Sequence, residues 1–287
     1  MIDWRARFAE VARPKTQDAL SAELPPLRTG EAGSSDDLDT VGNQWTRRMF
    51  DGDFFLSRLS RVTRDIPATG LVFVQSSDGN TGARNPSSLG GGETDKHLIY
   101  EGLSRVAADG VLAGAETIRG SQVVFSVWHP ELVALRAALG LPRHPIQIVA
   151  TRGGLKFDDT LLLNVPELRV IVIGTPVWVE QMKNDLARRP WVRTIATAQS
   201  YDLPGAFRRL RSMGVARILA IGGRTIARAM IDAGLIQDLY LTTSPMPGGE
   251  ADTPLYPTPL HGALVVRKRG TGSEAGVAFE HLILKSG

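Results

Sequence analysis

The 287-residue chain contains no cysteine. Disulfides, thiolate nucleophiles and cysteine-ligated zinc or iron–sulfur centres are therefore excluded. It has no apolar run near the ~18 residues a membrane helix needs, and its first residues (Met1-Ile2-Asp3-Trp4-Arg5) lack a signal-peptide core. A cytoplasmic protein with no membrane partner is the expectation. Charge of one sign is also scarce: 33 Lys and Arg face 30 Asp and Glu, a net +3. A nucleic-acid binder clusters its positive charge, whereas here the basic runs are short: Arg188-Arg189, Arg208-Arg209-Leu210-Arg211 and Arg267-Lys268-Arg269. They read as solvated faces or strand edges, and no nucleic-acid partner is expected. The five histidines (His97, His129, His144, His261, His281) show no HExxH-type spacing, which argues against a metal site. No G-x-S-x-G elbow or P-loop occurs either. With neither nucleophile nor metal, the hard chemistry would fall to a bound cofactor.

What is present divides unevenly. In residues 1–66, the spacings Trp4-Phe8-Val11 and Trp45-Met49-Phe50-Phe54-Phe55-Leu59 predict amphipathic helices. Between them, residues 21–42 carry Pro25-Pro26, Gly30, Gly33 and Asp36, Asp37 and Asp39, and read as a linker or mobile arm. Residues 67–287 alternate between strand and helix patterns. Strands are predicted at 71–74, 111–113, 146–150, 170–173, 192–196, 217–221 and 239–243, with helices at 94–107, 130–139, 177–188, 204–213 and 225–233. Continuous Val/Ile runs such as Val170-Ile171-Val172-Ile173 suit parallel strands covered on both faces. Two final runs, 263–268 and 277–284, have only the turn Gly270-Thr271-Gly272-Ser273 between them and predict an antiparallel pair. The fold class expected is α/β: a mixed, mostly parallel sheet flanked by helices, with an antiparallel C-terminal edge.

Ligands of open α/β sheets bind beyond the carboxyl ends of the strands. That rule selects Gly222-Gly223-Arg224-Thr225, where a buried strand delivers two glycines and then a helix. Bare amides and the helix dipole would accept a pyrophosphate there, although a plain strand-to-helix turn has the same signature. Thr151-Arg152 suits a phosphate monoester through the guanidinium fork, or is an ordinary surface turn. Gly174-Thr175 and Gly114-Ala115-Glu116-Thr117 offer hydroxyls at further strand ends, Thr117 being equally readable as a helix cap. Asp78, in Ser77-Asp78-Gly79, is a turn residue by type and by position the best carboxylate for orienting or protonating a substrate.

Several blocks taken together resemble a known family. They are Ser76-Ser77-Asp78-Gly79, Leu89-Gly90 with Asp95, the run Leu103 to Arg119 (LSRVAADGVLAGAETIR), Ile221 to Ala227, Ala233 to Leu239, and Ser244-Pro245-Met246-Pro247-Gly248-Gly249. Their order and spacing over about 69–285 are similar to the reductase domain of the riboflavin-biosynthesis deaminase/reductase family, a relative of dihydrofolate reductase. The resemblance implies a dihydrofolate-reductase-like fold, NADPH as hydride donor, a small heterocyclic, carbonyl or imine substrate, and often a homodimer. It implies that Gly114 and Thr117 line the cofactor, that Gly222-Gly223 underlie its pyrophosphate, with a cis peptide possible between them in this superfamily, and that Thr151-Arg152 meet the 2′-phosphate. Asp78, Ser88 and Arg105 fall on the substrate side. The chain departs from the pathway enzymes at Ile221, where they carry an acidic residue, and at Gly120-Ser121-Gln122-Val123-Val124, where they carry a phosphate-holding D-D-P-x-L-x-x-R segment. It also lacks a zinc-deaminase domain. A dihydrofolate- or pterin-type reductase, or a non-catalytic nucleotide binder on the same fold, are the alternative expectations.

Overall fold

The computed structural model describes residues 2–61, 64–83, 85–119, 122–158, 160–197 and 202–284. Gly120 and Ser121 of the divergent segment, and Lys285 at the end of the resemblance, lie outside the described residues. The described residues form twelve strands: β1 Arg28–Ala32, β2 Leu38–Val41, β3 Phe54–Ser57, β4 Ala68–Gln75, β5 Gly110–Gly114, β6 Ile146–Ala150, β7 Val170–Gly174, β8 Val192–Ala196, β9 Arg217–Ile221, β10 Asp238–Thr243, β11 Gly262–Arg269 and β12 Ala278–Leu284. Ten make one sheet in the order β1-β11-β12-β10-β4-β9-β5-β6-β7-β8. The seven strands from β10 to β8 run parallel; β12, β11 and β1 close the other side antiparallel. This is the mixed sheet with an antiparallel edge that the sequence predicts.

The pleat sorts the core into two layers. Val72 of β4 faces one layer, with Leu98, Leu103, Leu132 and Leu161, while its neighbours Leu71 and Phe73 face the other, with Phe207, Leu210, Ile226 and Met230. Helices on both faces explain why Val111, Leu112 and Ala113 of β5 are all inaccessible to water. One helical stretch is irregular. Residues Asp95–Leu103, between the turns Gly92–Thr94 and Ser104–Val106, wind as a wide coil, and Gly102 leaves helical geometry altogether (φ −120°, ψ −108°). A Cβ at Gly102 would lie 2.6 Å from both the His97 carbonyl oxygen and Leu132 Cδ1, so only glycine fits.

The N-terminal segment differs from its expectation. Trp4–Ser21 is helical, with Trp4, Phe8, Val11 and Ala12 packed on the first core layer. The second predicted helix covers only Gln44–Phe50, because Asp51 adopts a left-handed conformation (φ 57°) and the chain turns into β3, which pairs with β2. Residues 28–32, read as part of a linker, form β1 on the edge of β11. Lys268 is correspondingly not a solvated edge residue but 2% exposed. Its Nζ donates to Thr29 Oγ1 (2.8 Å) and the Asp51 carbonyl (3.0 Å) and sits 4.4 Å above the Phe50 ring. Burial lowers its pKa to about 8. At the end of β3, the Ser57 N–H donates to Asp238 (3.1 Å), which is paired with the buried His281 (2.7 Å). Residues 28–57 are thus held to the sheet through buried polar bonds, which are costly to break one-sidedly.

Candidate active site

A cleft of about 670 Å³ opens beyond the carboxyl ends of the central strands. β4 contributes Val72, Phe73 and Val74, the loop after β5 contributes Glu116 and Thr117, and the loop after β9 contributes Gly222, Gly223 and Arg224. The wide coil adds Asp95, Lys96, Tyr100 and Glu101, the turn Ser104–Val106 adds Arg105, and the stretch before the helix Pro130–Ala138 adds Gln122 to Phe125. Val11 and Lys15 of the N-terminal helix close one wall, and Glu250 reaches in from the loop after β10.

The glycine pair is built as the strand-end rule requires. Both residues have positive φ (64° and 73°), and Gly223, as the cap of the helix Arg224–Asp232, has no side chain to accept from its first amides, nor does any other described residue supply one. A Cβ on Gly222 would approach Thr117 Oγ1 to 3.2 Å, so a side chain there would crowd Thr117 as well as strain the left-handed backbone. Unpaired amides at a helix start, next to glycine, bind phosphate well. Among the described residues there is no cis peptide bond, so the pair achieves its shape by left-handed backbone alone. The residues present fit a dinucleotide pyrophosphate.

The other candidates are distributed less simply. Thr117, Gly222, Gly223, Arg224 and Arg105 line the cleft. Gly114 lies just behind it, starting the short helix Ala115–Ile118, and a Cβ there would make only ordinary contact with Ile226 at 3.7 Å. Thr225 is exposed and borders a separate groove with Arg228 and Asp232. Thr151 is buried and spends its hydroxyl on the Gly154 carbonyl (3.1 Å), beneath Trp178; Arg152 beside it is exposed. Thr175 caps the helix Pro176–Gln181 by accepting from the Trp178 N–H. Asp78 is exposed, accepts from the Gly248 N–H (3.3 Å) and is not among the cleft-lining residues. Ser88 bonds the Asn85 carbonyl (2.7 Å), while Asn85 and Ser87 line the cleft in its place.

The cleft's own titratable groups are the ones the sequence hides. Asp95 accepts a hydrogen bond from the Thr242 hydroxyl, and its pKa is raised to about 7, by burial first, against that hydrogen bond, with Glu274 adding repulsion. Glu101 moves the other way, to about 2: burial opposes ionisation, but His97, Arg105 and Lys15 together outweigh it. Arg105 is 2% exposed. Its Nη1 donates to the Ser126 carbonyl (3.1 Å), and its guanidinium lies 4.4 Å from the Tyr100 ring centre, with Nε and Nη2 shut off from solvent. Asp95 was visible in the sequence only as a spacing landmark, and nothing local marks Lys15 as a cleft residue.

Known proteins place this architecture. The family model described as the RibD C-terminal domain matches residues 69–272. A curated protein of Methanothermobacter thermautotrophicus, named 2,5-diamino-6-ribosylamino-4(3H)-pyrimidinone 5′-phosphate reductase, is 24% identical over 182 residues, covering 61% of this chain and 76% of its own. Among solved structures, a pyrimidine reductase-like protein of Corynebacterium diphtheriae aligns with a TM-score of 0.61 and 21% identity, over 76% of this chain and 92% of that one. The riboflavin biosynthesis reductase of Saccharomyces cerevisia aligns at 0.54 with 15% identity, over 77% and 91%. No helix among the described residues is long and apolar enough to cross a membrane, and no group of three potential ligands there could hold a metal ion. With most of its length matched by the family model, its glycine pair at the tip of a parallel strand and its sheet closed by an antiparallel edge, the chain belongs to the RibD C-terminal domain family of reductases.

Proposed function

We propose that the chain is an NADPH-dependent reductase of a ribosylaminopyrimidine 5′-phosphate, the substrate class in the name of the archaeal relative. The observation that carries the reading is the uncapped amide cradle at Gly222-Gly223, open to a cleft that also holds a carboxyl group titrating near neutrality. Gly222, Gly223 and Thr117 would hold the pyrophosphate, with Arg224 beside them; Arg152, exposed at the tip of β6, is the proposed contact for the 2′-phosphate. Bound NADPH supplies the hydride. The chain's own residues fix the acceptor against it and exclude water, which is where proximity and orientation lower the barrier.

The proton is assigned to Asp95. A group with a pKa of about 7 is protonated in useful fraction at neutral pH and still acidic enough to donate. Asp78 has neither the position nor the burial for that role. Residues 67–287 are proposed as the reductase domain and residues 1–66 as its extension.

Purified protein mixed with NADPH and the diaminopyrimidinone ribosyl phosphate should consume NADPH. No quenching of NADPH fluorescence and no consumption would refute the assignment. For Asp95→Asn, kcat should fall about a hundredfold with NADPH affinity retained. The wild-type rate should decline as pH rises through about 7, and the variant's should not. Stability follows the same sign. A carboxyl with a raised folded pKa favours the folded state below its ordinary value of 3.8, and this advantage is lost as pH climbs to about 7, so denaturation of Asp95→Asn should be flatter over that window.

A further inference from the structure

The turn between β11 and β12 reaches the cleft wall from behind. Its segment Gly272–Glu274 sends the Glu274 side chain across to the stretch Gly91–Asp95, where Oε1 accepts the Thr94 N–H (3.1 Å). The approach depends on two adjacent glycines. A Cβ at Gly92 would fall 2.5 Å from the Glu274 carboxyl carbon, and one at Gly91 would fall 2.9 Å from Asp95 Oδ2. Two carboxyl groups therefore lie over neighbouring residues of the same backbone. Both arms of this junction are also tied to the N-terminal extension. The Thr94 hydroxyl donates to the Pro25 carbonyl (2.9 Å) and the Thr271 hydroxyl to the Pro26 carbonyl (2.7 Å). Gly91, Gly92 and Asp95 line the cleft, whereas Glu274 does not.

The surrounding charges leave Glu274 unneutralised. Its Oε2 is buried with no hydrogen-bond partner among the described residues. The cations on this side of the cleft are held elsewhere: Lys96 by Glu93 (3.5 Å), Lys15 by Glu101 (2.8 Å) and Arg105 by the Ser126 carbonyl (3.1 Å). Of the other groups around Asp95, Thr242 of β10 gives it a hydrogen bond, and Tyr100 on its own coil is the remaining titratable neighbour. A like charge beside a carboxyl disfavours its ionisation, and Glu274 is the charged group that acts on Asp95 in this sense, against Thr242. Resting on the assignment of the proton to Asp95, we propose that Glu274 is the positioning residue of that acid: its carboxylate, brought in by the β11–β12 turn, holds the proton on Asp95 until the substrate takes it. An ordinary carboxyl is almost wholly ionised at neutral pH and would have no proton to give. As the acceptor gains a hydride, its heteroatom takes the Asp95 proton, the O–H electron pair stays on the carboxylate, and water restores the proton.

In the full chain, Glu274→Gln keeps an acceptor for the Thr94 N–H and loses only the charge. Asp95 is followed in the unliganded protein by carboxyl carbon NMR, its signal assigned by its absence from Asp95→Asn. In Glu274→Gln its titration should move down by about one unit. The fall of kcat with rising pH should move equally, so that turnover above neutrality drops about tenfold. Glu274→Asp, which keeps a charge on the turn, should bring both most of the way back. An Asp95 titration unmoved in Glu274→Gln, the same shift in the Gln and Asp variants, or a loss of kcat at every pH with the inflection still near 7 would each overturn the proposal. If the Asp95 titration moves as expected while the chain consumes no NADPH, or while its kcat profile stays put, the coupling stands and Asp95 is removed as proton donor instead.

Discussion

Two loops at the same end of the sheet, each following a buried parallel strand, have opposite fates. After β9, Gly222-Gly223 turn in left-handed backbone and present amides that no side chain among the described residues caps. After β6, Thr151 to Gly154 turn inward: the Thr151 hydroxyl bonds the Gly154 carbonyl, and Trp178 covers the turn so closely that a Cβ on Gly154 would come within 2.2 Å of its ring. Strand-end topology nominates both loops as ligand sites. What separates them is whether the protein has already satisfied the loop's polar groups and filled the space above it. The first loop is available through its backbone; the second offers only an outward side chain, Arg152.

The sharpest test of that contrast is Trp178→Ala. Removing a 6% exposed indole that roofs the β6 loop should cost about 3–5 kcal/mol of stability, measured by urea denaturation, while NADH affinity stays within about twofold. A large loss of NADH binding would mean that the filled loop is part of the dinucleotide's main grip. Next, Gly222→Val should weaken NADPH and NADH alike by about 2 kcal/mol, some thirtyfold, because the new side chain must meet Thr117 and disfavours the left-handed backbone. Unimpaired binding there would break the comparison. Smallest, Arg152→Ala should weaken NADPH about tenfold and NADH not at all, since only the former has a 2′-phosphate for the fork to hold. Equal effects on both would remove Arg152 from the site.

The sequence made the parallel half of the sheet legible for a simple reason. Runs such as Ile146–Ala150, Val192–Ala196 and Arg217–Ile221 are short, β-branched and bounded by turn residues, and the structure places strands at the same residues. Pro130 marked a helix start that is real. β1 was illegible because all five of its residues are exposed and carry no apolar alternation; it is a strand only because β11 offers an edge. β3 was absorbed into a predicted helix because Phe54 and Phe55 continue an aromatic spacing, and the break depends on Asp51 accepting a left-handed turn.

The site divides in the same way. Glycines that must lie at strand tips announce themselves, so Gly222 and Gly223 were found. Asp95 and Lys15 depend on tertiary placement, one half-buried beside Thr242 and the other carried in by a remote helix, and no local pattern marks either.

The wide winding of Asp95–Leu103 has a geometric consequence for the cleft. Asp95 and Tyr100 are spaced five apart, and in an ordinary α-helix five residues rotate the side chain by roughly 140° away from its start. A coil closed by i→i+5 bonds brings that interval back toward one side. Acid and aromatic plate can therefore share a single wall. The pitch of one helix thus decides that a molecule in the cleft meets both together, and Arg105 joins them only after the break at Gly102.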